Sequence, residues 1–142
     1  MSKSNAEETA YLGLIYNATA IANIADNAAS SPLANLFLAL HTGDPGEAGT
    51  QATNECAYTG YARKTVARTS GGFTVSGNTV TLTANQDFGA CTAGTETATH
   101  FSVGVAVSGA TRIIHSGTIT PNISISNGVT PRLTTGTTIT ED

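Results

Sequence analysis

Turn-forming residues recur roughly every ten positions from residue 42 onward, and this spacing constrains the fold more than any other feature. Turn signals lie at residues 42–46, 71–72, 76–78, 108–110 and 126–128, among others. The segments between the turns are rich in Thr, Val and Ile, residue types that favour strands. Closely spaced turns limit each strand to a few residues and favour antiparallel pairing. The sequence therefore predicts a mainly β chain of about seven or eight strands, arranged as an antiparallel β-sandwich or jelly roll.

The clearest strand signal lies at residues 100–107, where large apolar side chains alternate with small or polar ones. The apolar positions are Phe101, Val103, Val105 and Val107. A period of two indicates a strand with one buried face. Residues 73–75 and 79–82 are two further strand-forming runs, and the Gly-Asn pair between them predicts a hairpin.

An α-helix is predicted to precede the β region. Ser4 and Glu7 have the spacing of a capping box, in which each side chain satisfies a free backbone N–H of the first helical turn. Apolar residues then recur at intervals of three and four, so we expect the helix to continue to about residue 26. The sequence predicts a helical arm at residues 1–32 and a β-sandwich domain at residues 33–142.

The apolar face of this helix needs a partner, since a helix in water is stabilised mainly by packing. Either it packs on its own β domain or it docks on a neighbouring subunit. In the second case, the candidate assembly interface consists of Leu12, Ile15 and Ile21.

The charge pattern argues against two classes of partner. The chain has only six Lys and Arg residues against ten Asp and Glu, for a net charge of −4. Its one local cationic group, formed by Arg63, Lys64 and Arg68, is too small a footprint for nucleic acid. Neither a long apolar segment nor a secretory leader is recognisable, so we expect no membrane span and no signal peptide.

The cysteines and histidines do not form a recognisable metal-binding motif. Cys56 and Cys91 belong to no CxxC pair, and we expect free buried thiols in a reducing cytosol, with a disulfide as the alternative. His41, His100 and His115 lie on or beside predicted strands without the spacing of metal ligands. The sequence therefore predicts no bound metal.

The sequence likewise contains no catalytic motif. It has no phosphate-binding glycine loop and no nucleophile elbow, and a Cys56–His pairing has no support beyond the presence of both residue types. The acidic residues at 44–47 fit a turn better than a calcium loop. We therefore predict a protein that is not an enzyme and carries no cofactor.

Three motifs carry a resemblance to a known family: HTGDPGE at residues 41–47, YTGYAR at 58–63 and THFSVG at 99–104. With them the chain resembles a family of small tailed-bacteriophage virion proteins. The likeness extends over nearly the whole chain, through residues 17–26, 72–77 and 138–142. At position 73 this chain has Phe where the family has Trp, which keeps an aromatic residue in the core.

The resemblance implies a non-enzymatic structural protein of the virion, made in the cytoplasm of the host bacterium. Within that class, we favour a capsid decoration or cement protein that binds the major capsid protein as a homo-oligomer. A small domain suits many copies on a shell, because weak contacts become effective through multiplicity. A tail or tail-fibre-associated subunit is the alternative, and a carbohydrate-binding module is a distant one.

Overall fold

The computed structural model describes residues 3–22, 24–28 and 31–141. It confirms a mainly β chain with an N-terminal helix and antiparallel sheets. The elements are α1 (Asn5–Asn17), β1 (Asn35–His41), β2 (Lys64–Ala67), β3 (Phe73–Ser76), β4 (Thr79–Leu82), β5 (Gln86–Asp87), β6 (Glu96–Gly104), β7 (Ile113–Ile125), β8 (Arg132–Leu133) and β9 (Thr138–Thr140).

The described strands form three sheets. A four-stranded sheet has the order β2-β1-β6-β7, a three-stranded sheet the order β3-β4-β9, and β5 pairs with β8. The pairs β1–β6, β6–β7, β3–β4, β4–β9 and β5–β8 are antiparallel. The sandwich or jelly-roll arrangement of these sheets stays a prediction.

The hairpin of β3 and β4 confirms the prediction at residues 73–82, and Gly77 in its turn has a φ of 59°. The strand predicted at residues 100–107 is also present, but it ends at Gly104. Phe101 and Val103 are buried as the alternation predicts, whereas Val107 is 58% exposed. The register between β6 and β7 shifts after Val103, so the pairing that would prolong the strand is lost.

The chain divides into two compact units. The first contains Met1–Asn35, Ala67–Asn85 and Thr134–Asp142, and the second contains Leu36–Val66 and Gln86–Leu133. The arm predicted at residues 1–32 therefore lies in one unit with β3, β4 and β9. The domain boundary at residue 32 stays a prediction.

The helix begins as predicted and ends much earlier. Ser4 is the N-cap, and its hydroxyl accepts the Glu7 N–H at 3.3 Å. At the other end Ala18 adopts a left-handed conformation with a φ of 54°, and the N–H groups of Ala18 and Thr19 donate to the Gly13 carbonyl. This closure ends α1 at Asn17, so the prediction that the helix continues to residue 26 is wrong.

Arg68 stabilises the C-terminal end of the helix within the first unit. Its guanidinium donates to the carbonyls of Leu14 and Ile15, and to the Asn27 side chain at 2.9 Å. The last carbonyls of a helix have no intrahelical donor, and a cation is favourable at the negative end of the helix dipole. The side chain that completes the helix thus comes from the chain just beyond β2.

Replacing Arg68 with Met is expected to lower the free energy of unfolding by roughly 1–3 kcal/mol, because carbonyls bonded to a charged donor lose that partner. Urea denaturation followed by circular dichroism measures the change. Lys64→Met is the matched control, since Lys64 is a cation half-buried like Arg68, and among the described residues it donates no hydrogen bond to a helix carbonyl. Equal losses in the two variants would contradict this role for Arg68.

Candidate functional site: a buried polar network under two loops

In the second unit, two loops converge on one buried polar network. The first loop is residues 42–63, between β1 and β2, and the second is residues 105–112, between β6 and β7. His41 at the end of β1, Arg63 just before β2 and Ser102 on β6 supply side chains to the network. Each of these residues comes from one of the three motifs that carry the family resemblance.

Arg63 is the centre of the network, and its side chain is only 2% exposed. Its Nε and Nη2 donate to the two carboxylate oxygens of Glu55 at 2.7 and 2.8 Å. Nη1 donates to the Ala106 carbonyl at 3.1 Å and Nη2 to the Gly109 carbonyl at 2.7 Å. Nη1 also lies 3.1 Å from Thr111 Oγ1. One guanidinium therefore joins a carboxylate of the first loop to the backbone of the second.

Gln51 connects this ion pair to a histidine. Its Oε1 accepts from Arg63 Nη1 at 3.3 Å and from Thr111 Oγ1 at 3.1 Å. Its Nε2 donates to the Phe37 carbonyl at 2.8 Å and to Ser102 Oγ at 3.4 Å. The amide thus uses its donor and acceptor groups while completely buried, which avoids the cost of an unsatisfied polar group.

His41 continues the chain of hydrogen bonds on the far side of Ser102. Its Nδ1 lies 2.8 Å from the Thr53 carbonyl, and its Nε2 lies 2.8 Å from Ser102 Oγ. Because a carbonyl only accepts, we assign the proton to Nδ1 and let the Ser102 hydroxyl donate to Nε2. His41 is thereby held in its neutral form.

Gly104 has no side chain, and the Gln51 side chain of the network occupies the space that a Cβ atom would need. A Cβ built at this position would lie 2.1 Å from the side-chain Cδ of Gln51. Gln51 is completely buried, so it has little room to move aside. Only glycine fits the end of β6 beside the buried amide.

Glu96 on β6 holds another part of the first loop. Its carboxylate accepts the backbone N–H of Ala57 and of Tyr58 at 3.0 to 3.2 Å.

Burial, together with the Glu96 carboxylate, raises the pKa of the Cys56 thiol to about 12. Cys56 therefore remains a protonated thiol at neutral pH, which argues against a nucleophilic role. Cys56 and Cys91 are both free and buried, as expected.

The network is suited to positioning loops. Within residues 3–22, 24–28 and 31–141, no group of three His, Cys, Asp or Glu residues could hold a metal ion. No helix in the part of the chain that the structure describes is long and apolar enough to cross a membrane. What the arrangement does is fix the conformation of two surface loops that regular strand pairing leaves unsupported.

The candidate assembly residues lie elsewhere, in the first unit. Leu12 is completely buried, so its side chain offers no surface to a partner. Ile15 is half-buried on α1. Ile21 is half-buried beyond the helix, in a turn closed by hydrogen bonds between its backbone and that of Ala25. The assembly interface stays a prediction, and the three side chains do not form one exposed helical face.

The buried histidine predicts a pH dependence of stability. Burial lowers the pKa of His41 below its usual range, although the Thr53 carbonyl and Glu55 oppose the shift. As the pH falls below about 6.5, the unfolded chain gains a proton at this position before the folded chain does. The free energy of unfolding is therefore expected to fall on acidification, by up to about 1.4 kcal/mol per pH unit from this group.

Urea denaturation between pH 7.5 and 5 checks this expectation against a His41→Asn variant. The variant should be less stable at neutral pH and should lose that part of the pH dependence. His100 and His115 are present in both proteins, so their contributions cancel in the comparison. Parallel pH profiles for the two proteins would contradict a buried neutral His41.

Comparison with protein families identifies the class to which this architecture belongs. The family described as podophage GP4 fiber I protein gp80 matches residues 14–141. The chain belongs to this family. No curated protein matches the chain.

The gp80 match covers both loops and every residue of the polar network. It confirms the resemblance to tailed-phage virion proteins, and it makes this protein a structural component of the virion. The description names a fibre, so it agrees with the tail-fibre alternative and gives no support to the capsid decoration hypothesis.

Proposed function

We propose that this gp80-family protein is a structural subunit of a tail fibre. The observation that carries the proposal is the family match, which covers residues 14–141 and describes a fibre protein. The protein would act through its surfaces, holding other virion proteins in place, and no catalytic step is assigned to it.

The polar network gives this role a physical basis. A fibre subunit would repeat the same contact from copy to copy, so the loops that make this contact need one conformation. Loops without regular pairing lose conformational entropy when they become ordered, and buried hydrogen bonds offset this cost. Arg63 and Gln51 supply such bonds to both loops at once.

We further propose that the protein assembles with copies of itself. Most structural oligomers are homo-oligomers with repeated contacts, and a fibre needs either a closed ring or a repeating stack.

The net charge of −4 and the burial of Arg63 argue against a nucleic-acid partner, because the predicted group of three cations does not form one exposed basic face.

Fractionation of the virion tests the location. Heads and tails are prepared separately, from phage blocked in tail assembly and from phage blocked in head assembly, and each is probed with an antibody against this protein. The proposal expects the protein in the tail fraction and not on tailless heads. A signal on purified heads would overturn it and would restore the capsid decoration hypothesis with the major capsid protein as partner.

A further inference from the structure

The turn at residues 106–110 in the second loop, here the Val107 turn, is supported by Arg63 and presents an exposed apolar surface. Val107 is one of the large apolar residues that the structure leaves exposed, at 58%. Ser108, Gly109 and Ala110 beside it are also exposed, and all are small and uncharged. Arg112 follows as an exposed cation, and among the described residues it forms no salt bridge. The turn thus presents an apolar tip flanked by one positive charge.

A buried ion pair is not the support that would stabilise this turn most. A buried Arg–Glu pair costs desolvation, and apolar residues of similar volume often stabilise a fold as well or better. What the Arg63–Glu55 pair achieves is a single conformation of the turn, through the carbonyls of Ala106 and Gly109. A surface loop held rigid in this way is suited to binding, because less entropy is lost when a partner docks.

A complementary surface lies in the first unit. A shallow cavity of about 340 Å³ opens beside the turn that follows the helix. Its lining consists of Ala20, Ile21, Ala22, Ile24, Ala25 and Asp26. Ile24 is 76% exposed there, and the exposed Asp26 carboxylate accepts only the Ala28 N–H within the described part of the chain. This surface is an apolar groove flanked by one negative charge.

We infer that the Val107 turn of one copy docks in the Ile24 groove of a second copy. Val107 would contact the apolar lining, and Arg112 would pair with Asp26 of the neighbouring copy. The complementarity in both polarity and charge favours a second copy over a partner of other chemistry. Because two different surfaces meet, the contact is heterologous and repeats from copy to copy, which generates a ring or a filament. The inference rests on the proposed function, since it specifies the self-contact of the fibre subunit.

Charge exchange tests the pairing in the full-length protein. Sedimentation velocity measures the association of the wild type, Arg112→Glu, Asp26→Arg and the double variant. Each single variant is expected to weaken association about threefold to tenfold, and the double variant should recover most of the loss. Val107→Asp should weaken association about tenfold or more, because it places a charge in an apolar contact. Far-UV circular dichroism verifies that every variant is folded.

Leu33→Asp is the matched control, since Leu33 is an exposed apolar residue, at 43%, that does not line the groove. It should leave association unchanged. A double charge variant no better than either single variant would overturn the Arg112–Asp26 pairing. Association that Val107→Asp leaves intact would overturn the contact as a whole.

Disulfide trapping tests the contact directly. Val107→Cys and Ile24→Cys proteins are mixed under mild oxidation, while the native Cys56 and Cys91 remain buried. A crosslinked dimer should form in the mixture and not in either protein alone. If the wild type associates but the mixture does not crosslink, this inference fails and the fibre proposal stands. If the wild type remains monomeric at all concentrations, the proposed self-assembly itself fails.

Discussion

Replacing Arg63 with Met is expected to lower the free energy of unfolding by about 3–5 kcal/mol, which is the usual loss when one partner of a buried ion pair is removed. The variant leaves the Glu55 carboxylate without its cation, and it leaves the carbonyls of Ala106 and Gly109 without their donor. Urea denaturation followed by circular dichroism measures the loss. Arg63→Lys should recover little of it, because an ammonium group cannot reproduce the fork of the guanidinium.

Arg132→Met is the matched control for this prediction. Arg132 also donates two hydrogen bonds to a carboxylate, that of Asp87, but the side chains of Arg132 and Asp87 are 51% and 46% exposed. Exposed ion pairs contribute about 0–1 kcal/mol, so this variant should be nearly as stable as the wild type. Similar losses at Arg63 and Arg132 would show that burial of the pair does not matter, which would contradict the account of the network.

Replacing Phe73 with Ala is expected to cost about 3–5 kcal/mol, the usual range for removing a buried aromatic ring. Phe73 is completely buried in the first unit, and its ring packs edge-to-face on Tyr16 of α1 with centroids 4.9 Å apart. The loss should appear in denaturation curves recorded at the helical signal near 222 nm, because the ring is what α1 packs against.

Phe73→Leu keeps most of the apolar volume and is expected to cost less than half as much. Thr74→Ala, at the exposed neighbouring position, should be close to neutral. An Ala variant as stable as the Leu variant would contradict a tight core between α1 and β3. It would favour the alternative that the sequence leaves open, in which the helix docks on a neighbouring subunit.

Local features of the sequence predicted local structure well. The Ser4 cap, the hairpin around Gly77 and the buried alternation of Phe101 and Val103 depend on residues close together in the chain. The end of the helix does not depend only on residues close together in the chain. It depends on a left-handed Ala18, a conformation that alanine rarely adopts, and on Arg68, about fifty residues further along the chain.

The polar network cannot be predicted from the sequence for the same reason, because its partners lie far apart in the chain. The sequence places Arg63 in a local group of cations, but its hydrogen-bond partners at Ala106 and Gly109 lie 43 and 46 residues away. Gly104, where β6 ends, was the one signal for a close approach of another side chain. No local pattern indicates that Gln51 would fill that space, because an isolated Gln in a loop is usually exposed.

A cryo-electron microscopy reconstruction of the intact virion tests the central proposal most directly, because the strands and loops described here can be fitted into resolved density. We expect density for this protein in a fibre attached to the tail, with the Val107 turn of each copy against the Ile24 groove of the next. Density for the protein on the capsid lattice, and none on the tail, would contradict the assignment as a fibre subunit.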